Sequence, residues 1–489
     1  MDVLAPITQQ DWSYEKAAHL LSRAAFGGTP EEIEAAHRQG LVATLQRLLD
    51  QPADASIPPP AWTDPQAIVA RRMEFRKARS EPGNDLKAHE EFRHTNEANI
   101  SGLRDWWLKR MFGTATPLVE KMTLFWHSHF ATSYAKVEAA DQMWLQNDTL
   151  RRHALGNFVV LTKAISRDAA MMVYLDLHLS GKAHPNENWA RELMELFTVG
   201  IGNYTEADIR ESARAFTGYR VSIPSQGFHF DPAEHDGGPK TFMGRTEAWD
   251  GDGIINALSK QPACSKFMAQ KLWRFFAEDE PAKETVDALA ARIRLRNYEM
   301  RPVLREIFSS AEFYADAAMH TQIKSPVQFL VGTAKLLGTD LPEPPVAQKA
   351  LRQMGQELFA PPNVKGWDGG KSWVSTSTLL FRYNFANYLI NGDHMGAADG
   401  GNEPKPGPGG APHPRREPID VNKIIPAELR DKPDELVATL SRRAFGRPAP
   451  EKDHGAFVQF IKQRQPDTSD TAMRELLHLM TSTPQFQLA

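Results

Sequence analysis

Along most of this chain apolar residues recur at intervals of three and four, the spacing of helices that bury one face. The segment "DWSYEKAAHLLSRAAFGGTPEEIEAAHRQGLVATLQRLLDQP" reads as three short helices. A break falls at Gly27-Gly28, and Thr29-Pro30 supplies an N-cap followed by proline at the first helical position. Residues 51–100 are charged and interrupted by "SIPPP" and "SEPGND", which predicts exposed loop and helix. Helical spacing returns from Ile100 to Phe130 and from Asp141 to Tyr174. In "KSPVQFLVGTAKLLG", Ser325 is the expected cap, Pro326 the first helical residue, and Gln328 completes a capping-box pattern. Gly338 is placed to end that helix.

The periodicity fails in three places. "GFHFDPAEHDGGPKTFMG" (227–244) has short aromatic runs around a Pro/Asp/Gly turn, which predicts a small β-hairpin or an ordered loop. "APPNVKGWDGGKSWVSTS" is rich in Gly, Pro and Trp, and "GAADGGNEPKPGPGGAPHPRREP" has the composition of a flexible linker. Beyond it, "LSRRAFG" (Leu440–Gly446) nearly repeats "LSRAAFG" (Leu21–Gly27). The expected architecture is all-α, a single large multi-helix domain over 1–390 with the small β element. A flexible linker at 391–431 and C-terminal helices at 432–489, packing back on the main domain, complete it.

Composition narrows the function classes. Across 489 residues the formal charge is only −4, which argues against a nucleic-acid surface or a basic membrane-binding face. The single cysteine, Cys264, leaves no intrachain disulfide. The start lacks a basic stretch followed by an apolar core, and no apolar run approaches a bilayer span. The expectation is a soluble, cytoplasmic protein; export in the folded state would also suit these features.

The densest candidate chemistry lies in "HPNENWARELMELFTVGIGNYTEADI" (His184–Ile209). On a helix of 3.6 residues per turn, Trp189, Leu193, Leu196 and Phe197 gather into one apolar stripe. Asn188, Glu192 and Glu195 cluster beside it, whereas Glu187 and Arg191 fall on the far side. Glu192 and Glu195 can therefore act together at the edge of the core, and Glu187 suits the positive start of the helix. Structural ion pairs with neighbouring helices are the plainer alternative.

Two histidines in "KMTLFWHSHFATS" resemble a chelating pair. On a helix they point about 200° apart, so His127 and His129 can share an ion only if the helix ends near His127. Otherwise each is a core histidine satisfied by one hydrogen bond. The loop around 229–240 adds His229, Asp231, Glu234, His235, Asp236 and Lys240, a donor set suited to zinc, manganese or iron. Its spacing matches no strong metal signature, and a solvated turn has much the same composition. Cys264 opens an amphipathic helix and reads as a small buried residue rather than a reactive thiol. Trp367 and Trp373 suit either sugar stacking or the anchoring of a long loop. Phosphate-binding glycine loops, dinucleotide fingerprints and nucleophile elbows are missing from the sequence.

Taken in order, "HLLSRAAFGGTPEEI", "MTLFWHSHFATS", "NENWARELMELFTVGIGNYTEADIRESARAFTGY", "HDGGPKTFMG", "KSPVQFL" and "APPNVKGWDGGKSW" resemble the bacterial family called domain of unknown function 1800. The resemblance runs from about His19 to the C-terminal "LLHLMTSTPQFQ". It implies a mainly helical protein and, as a partner, an alkaline-phosphatase-superfamily-like protein encoded nearby. Many members carry a twin-arginine export signal, which this sequence does not show. The matching motif positions are His127, His129, Asn186, Glu187, Arg191, Glu192, Glu195, Tyr204, Thr205, Glu206, Asp208, His235, Asp236 and Lys240. Two departures are Gln328, a position often Glu in the family, and Tyr219, often Trp.

Three functions fit these residues. The first is a metal-assisted or carboxylate-based hydrolase. In it Glu192 and Glu195 meet His129 and the His235/Asp236 loop, His127 joins as a further metal ligand, and Arg191 or Lys240 holds an anionic group. The second is a non-enzymatic scaffold that binds a partner protein. The third is a carbohydrate-active helical enzyme with a carboxylate pair.

Overall fold

A computed structural model describes residues 3–52, 54–222, 225–392 and 416–489. Among these are 21 α-helices and two small antiparallel sheets, so the fold is mainly helical as expected. The chain divides into two compact units. One comprises Met1–Pro6, Arg47–Glu312 and Glu357–Asp368; the other comprises Ile7–Gln46, Phe313–Gln356 and Gly369–Ala489.

The first unit has an aromatic core. Trp107, Trp126, Phe158, Trp189, Phe197, Phe216 and Trp273 are all essentially inaccessible to solvent. Burying each such side chain is worth about 1.5–3 kcal/mol. The Pro117–His129 helix supplies Trp126, whose ring stacks on Phe130 and Phe158. Its buried Glu120 accepts bonds from Trp107 Nε1 (2.9 Å), Arg110 Nε (2.8 Å) and Arg151 Nε (2.9 Å). Asp141 is likewise held by Arg71 and Arg72. Burial pushes both carboxyls up, but the paired guanidinium groups win and hold them below their ordinary range.

The irregular stretch predicted near 227–244 forms parts of two hairpins. Strands β1 (Tyr219–Val221) and β2 (Phe228–Phe230) pair with Tyr219 opposite Phe230. Strands β3 (Lys240–Phe242) and β4 (Arg245–Glu247) pair with Lys240 opposite Glu247. The Glu206–Ala215 helix anchors the second hairpin. Glu211 accepts the Thr241 N–H (3.1 Å), and Asp208 accepts the Met243 N–H (2.8 Å).

In the second unit the caps predicted at Thr29 and Ser325 form, and Ser13 adds a further one. Ser13 caps the Tyr14–Ala24 helix, and Thr29 exchanges bonds with Glu32 at the start of the Pro30–Leu49 helix. That helix is kinked at Gly40, whose φ of 84° only glycine adopts readily, so three helical pieces result. Ser325 Oγ accepts the Gln328 N–H, but the capping box expected of Gln328 is not completed, because its side-chain amide donates to the Ser22 carbonyl (2.9 Å) instead. Both copies of the LSR-x-AFG stretch lie in this unit. Of the expected linker, 393–415 lies outside the described residues; short 3-10 turns occupy Val421–Lys423 and Ala427–Leu429. The helices Pro433–Phe445, Glu451–Arg464 and Asp470–Thr481 complete the unit.

Candidate functional site

The motif helix begins on Asn186. Its Oδ1 accepts the Asn188 N–H (2.8 Å), and its Nδ2 donates to the Asp176 carbonyl (3.1 Å). The α-helix runs only from Glu187 to Glu192; a π-helix follows from Leu193 to Thr198. The wide turn is visible in the Val199 N–H, which reaches back five residues to the Met194 carbonyl (3.1 Å). The Thr198 hydroxyl donates to the Leu193 carbonyl (2.5 Å). Such turns are uncommon and recur at functional sites. Here the extra residue per turn changes the expected stripe. Trp189, Leu193 and Phe197 are buried as read, but Met194 joins them and Leu196 is only partly covered.

A helix end leaves carbonyls without intrahelical partners, and two basic side chains meet these. Lys271 Nζ donates to the Leu196 carbonyl (3.2 Å), and His129 Nε2 donates to the Phe197 carbonyl (3.0 Å). A cation or polar N–H at the negative end of a helix is favourable. Burial, reinforced by the Lys271 charge, pushes the His129 pKa well below its ordinary value. Burial also brings the Lys271 ammonium down to about 8. His127 faces a different set of partners. Its Nε2 accepts the Phe359 N–H (3.1 Å), so the proton of the neutral ring sits on Nδ1, and the ring packs among Trp107, Phe359 and Trp367. Burial pushes its pKa down to about 3. The helix extends through His129, so the early helix end that a shared ion requires does not occur.

The 229–240 loop is tied internally. His235 Nδ1 donates to the Thr217 carbonyl (2.9 Å), and Asp236 takes Arg214 Nε (2.6 Å) and the Gly238 N–H (2.9 Å). Arg214 is the main cause of the lowered Asp236 pKa. Lys240 is almost wholly buried, with Nζ donating to the Asp236 (2.5 Å) and Gly238 (3.0 Å) carbonyls. Burial lowers the Lys240 pKa. Among the described residues no three His, Cys, Asp or Glu side chains gather as ligands for one ion.

Glu192 and Glu195 are the predicted residues that the structure brings together. Arg191 is not free to serve them, because its guanidinium is bidentate to Glu206 (2.9 and 2.8 Å) and lies 3.6 Å from Glu187. Glu195 accepts a bond from the Tyr204 hydroxyl (3.1 Å). Glu192 is partly buried and makes no hydrogen bond or ion pair among the described residues. Its pKa is raised, first by burial and then by the Glu195 charge; Arg191 and Lys365 oppose the rise. Tyr174 faces the same carboxylate, and its hydroxyl is raised by burial and then by Glu192.

A family model described as "Protein of unknown function (DUF1800)" matches residues 19–488. The chain belongs to this family. No curated protein and no solved structure matches it. The DUF1800 span takes in the whole polar cluster and both copies of the LSR-x-AFG stretch. Among the described residues no helix is long and apolar enough to cross a membrane. Sequence reasoning missed Lys365, Tyr174 and Lys271 as neighbours of the cluster. Lys365 had a signal, since it lies in the Gly/Pro/Trp-rich loop, where the tryptophans drew attention instead. Tyr174 and Lys271 carry no distinguishing pattern. Cys264 is buried, with its thiol pushed up to about 12, and is chemically quiet.

Proposed function

We propose that this chain is a hydrolytic enzyme working by carboxylate chemistry, with Glu192 as the proton-carrying acid and Glu195 as the second carboxyl group of the pair. The observation that carries this reading is the condition of Glu192: partly buried, beside a like charge, and with no bonding partner among the described residues. Leaving a carboxylate in that state costs stability, and a raised pKa is what a general acid working near neutrality needs. Glu195 stays anchored by Tyr204, which separates the two roles. Arg191 and Lys240 act as positioning residues, since each is committed to protein acceptors. A metal-assisted form would require His127 or His129 to exchange its backbone partner for a metal ion.

The alternative, a partner-binding scaffold, has its own support. Asn186, Arg191, Asp208, His127, His129, His235, Asp236 and Lys240 all hold backbone groups or ion pairs together. Glu192 separates the readings. Chromogenic esters, phosphate esters and glycosides should be offered to wild type and Glu192→Gln, before and after treatment with EDTA. The expected result is hydrolysis of one class, reduced at least 100-fold in the variant, with a Tm no lower than wild type. Unchanged hydrolysis in Glu192→Gln would overturn the proposal. Loss of activity after EDTA, restored by zinc, would favour the metal-assisted form.

A further inference from the structure

The second unit contains a cavity of about 450 Å³ that the proposed reaction does not use. It is lined by Ser13, Glu15, Lys16, Tyr314, Asp316, Met319, His320 and Arg447. A volume of that size suits a small ligand. The Tyr14–Ala24 helix contributes Glu15 and Lys16 and continues into the first LSR-x-AFG copy; Arg447 directly follows the second copy. The first copy has Gly28 at the position that Arg447 occupies in the second. The Pro433–Phe445 helix is ended by Gly446 at φ 70°, where a Cβ would lie 2.8 Å from Ala18 Cβ. That close approach brings the chain to the first copy's helix and sets Arg447 on the cavity wall.

The lining is unevenly satisfied. Glu15 Oε1 lies 3.3 Å from His320 Nε2, and Lys16 Nζ donates to the Asp11 carbonyl (2.8 Å). Arg447 is only partly exposed and has neither a hydrogen bond nor an ion pair among the described residues. A guanidinium is a planar fork of donors matched to carboxylate or phosphate oxygens, and partial burial without such a partner is unfavourable. His320 sits in a left-handed conformation (φ 56°), which non-glycine residues adopt at a cost. Burial, then Arg447, Arg23 and Lys324, push its pKa down to about 4.

We propose that this cavity binds a small phosphate- or carboxylate-bearing molecule, with Arg447 gripping the oxyanion, Lys16 beside it, and Asp316 facing the ligand's hydroxyl or amine groups. The site is independent of the Glu192–Glu195 reading. Isothermal titration of the full chain with inorganic phosphate and with citrate tests it. Saturable one-to-one binding of at least one anion is expected, weakened at least tenfold in Arg447→Gln and unchanged in Arg38→Gln, which alters an exposed arginine outside the cavity. Tighter binding of phosphate identifies a phosphorylated ligand, and tighter binding of citrate a polycarboxylate. Asp316→Asn removes an exposed, unpartnered like charge and should tighten binding at least threefold. Saturable binding of neither anion would overturn the proposal, as would equal affinities in wild type and both cavity variants.

Discussion

His129 donates from Nε2 to the carbonyl of Phe197 at 3.0 Å, so the histidine motif secures the end of the helix that carries Glu192 and Glu195. His129→Phe keeps a ring of similar bulk but leaves the buried Phe197 carbonyl without its donor. The expected loss is about 1–3 kcal/mol, measured by urea unfolding of wild type and variant. An unchanged midpoint would mean that another donor takes over the carbonyl.

Acid should weaken the fold before most carboxylates titrate. His19, His127 and His129 are buried with pKa values below the ordinary 6.5, burial being the first cause in each. A depressed folded pKa gives stability that is present above the unfolded value and lost as pH falls towards the folded one. For His127, near 3 when folded, the loss reaches about 2 kcal/mol by pH 5. Unfolding free energy measured from pH 8 to 5 should therefore fall below about pH 6.5. His127→Asn should flatten that slope.

Glu120 gives the opposite kind of carboxylate from Glu192, because it is buried and fully paired. Glu120→Gln leaves Arg110 and Arg151 without their counter-charge, and breaking such a pair costs about 3–5 kcal/mol. Thermal unfolding should show a large drop in Tm. Glu192→Gln, which removes an unpaired like charge, should show none.

Gly366 sets the loop that carries Lys365. Its φ is +83°, and a Cβ there would run into the Ser128 carbonyl. Gly366→Ala should cost at least ~1 kcal/mol and displace Lys365 from Glu192. With that positive neighbour gone, the Glu192 pKa should rise further, as read by NMR titration of 13C-labelled glutamate. An unchanged titration would show that Lys365 does not reach Glu192.

Much of the fold was legible because caps and breakers act locally. Thr29 and Ser325 each cap a helix where the sequence placed a cap, whereas the Ser13 cap and the kink at Gly40 were not singled out in it. The pairing of Glu192 with Glu195 was legible for the same reason, since neighbours on one helix follow from spacing. Long-range placement was not. Spacing shows that His127 and His129 diverge, but only packing determines that one meets Phe359 and the other Phe197. The π-helix was hidden because regular helical spacing was assumed through Leu193–Thr198, where the wide turn brings Met194 inward.

That wide turn gives the two halves of the motif helix separate phase references. Asn186 fixes the rotation of the first half, whereas His129 and Lys271 fix the second from the opposite end. Removing one residue from the wide turn would restore ordinary helical pitch and rotate one half against the other. Both caps could remain intact while the two carboxylates lost their alignment, a change in phase rather than in composition.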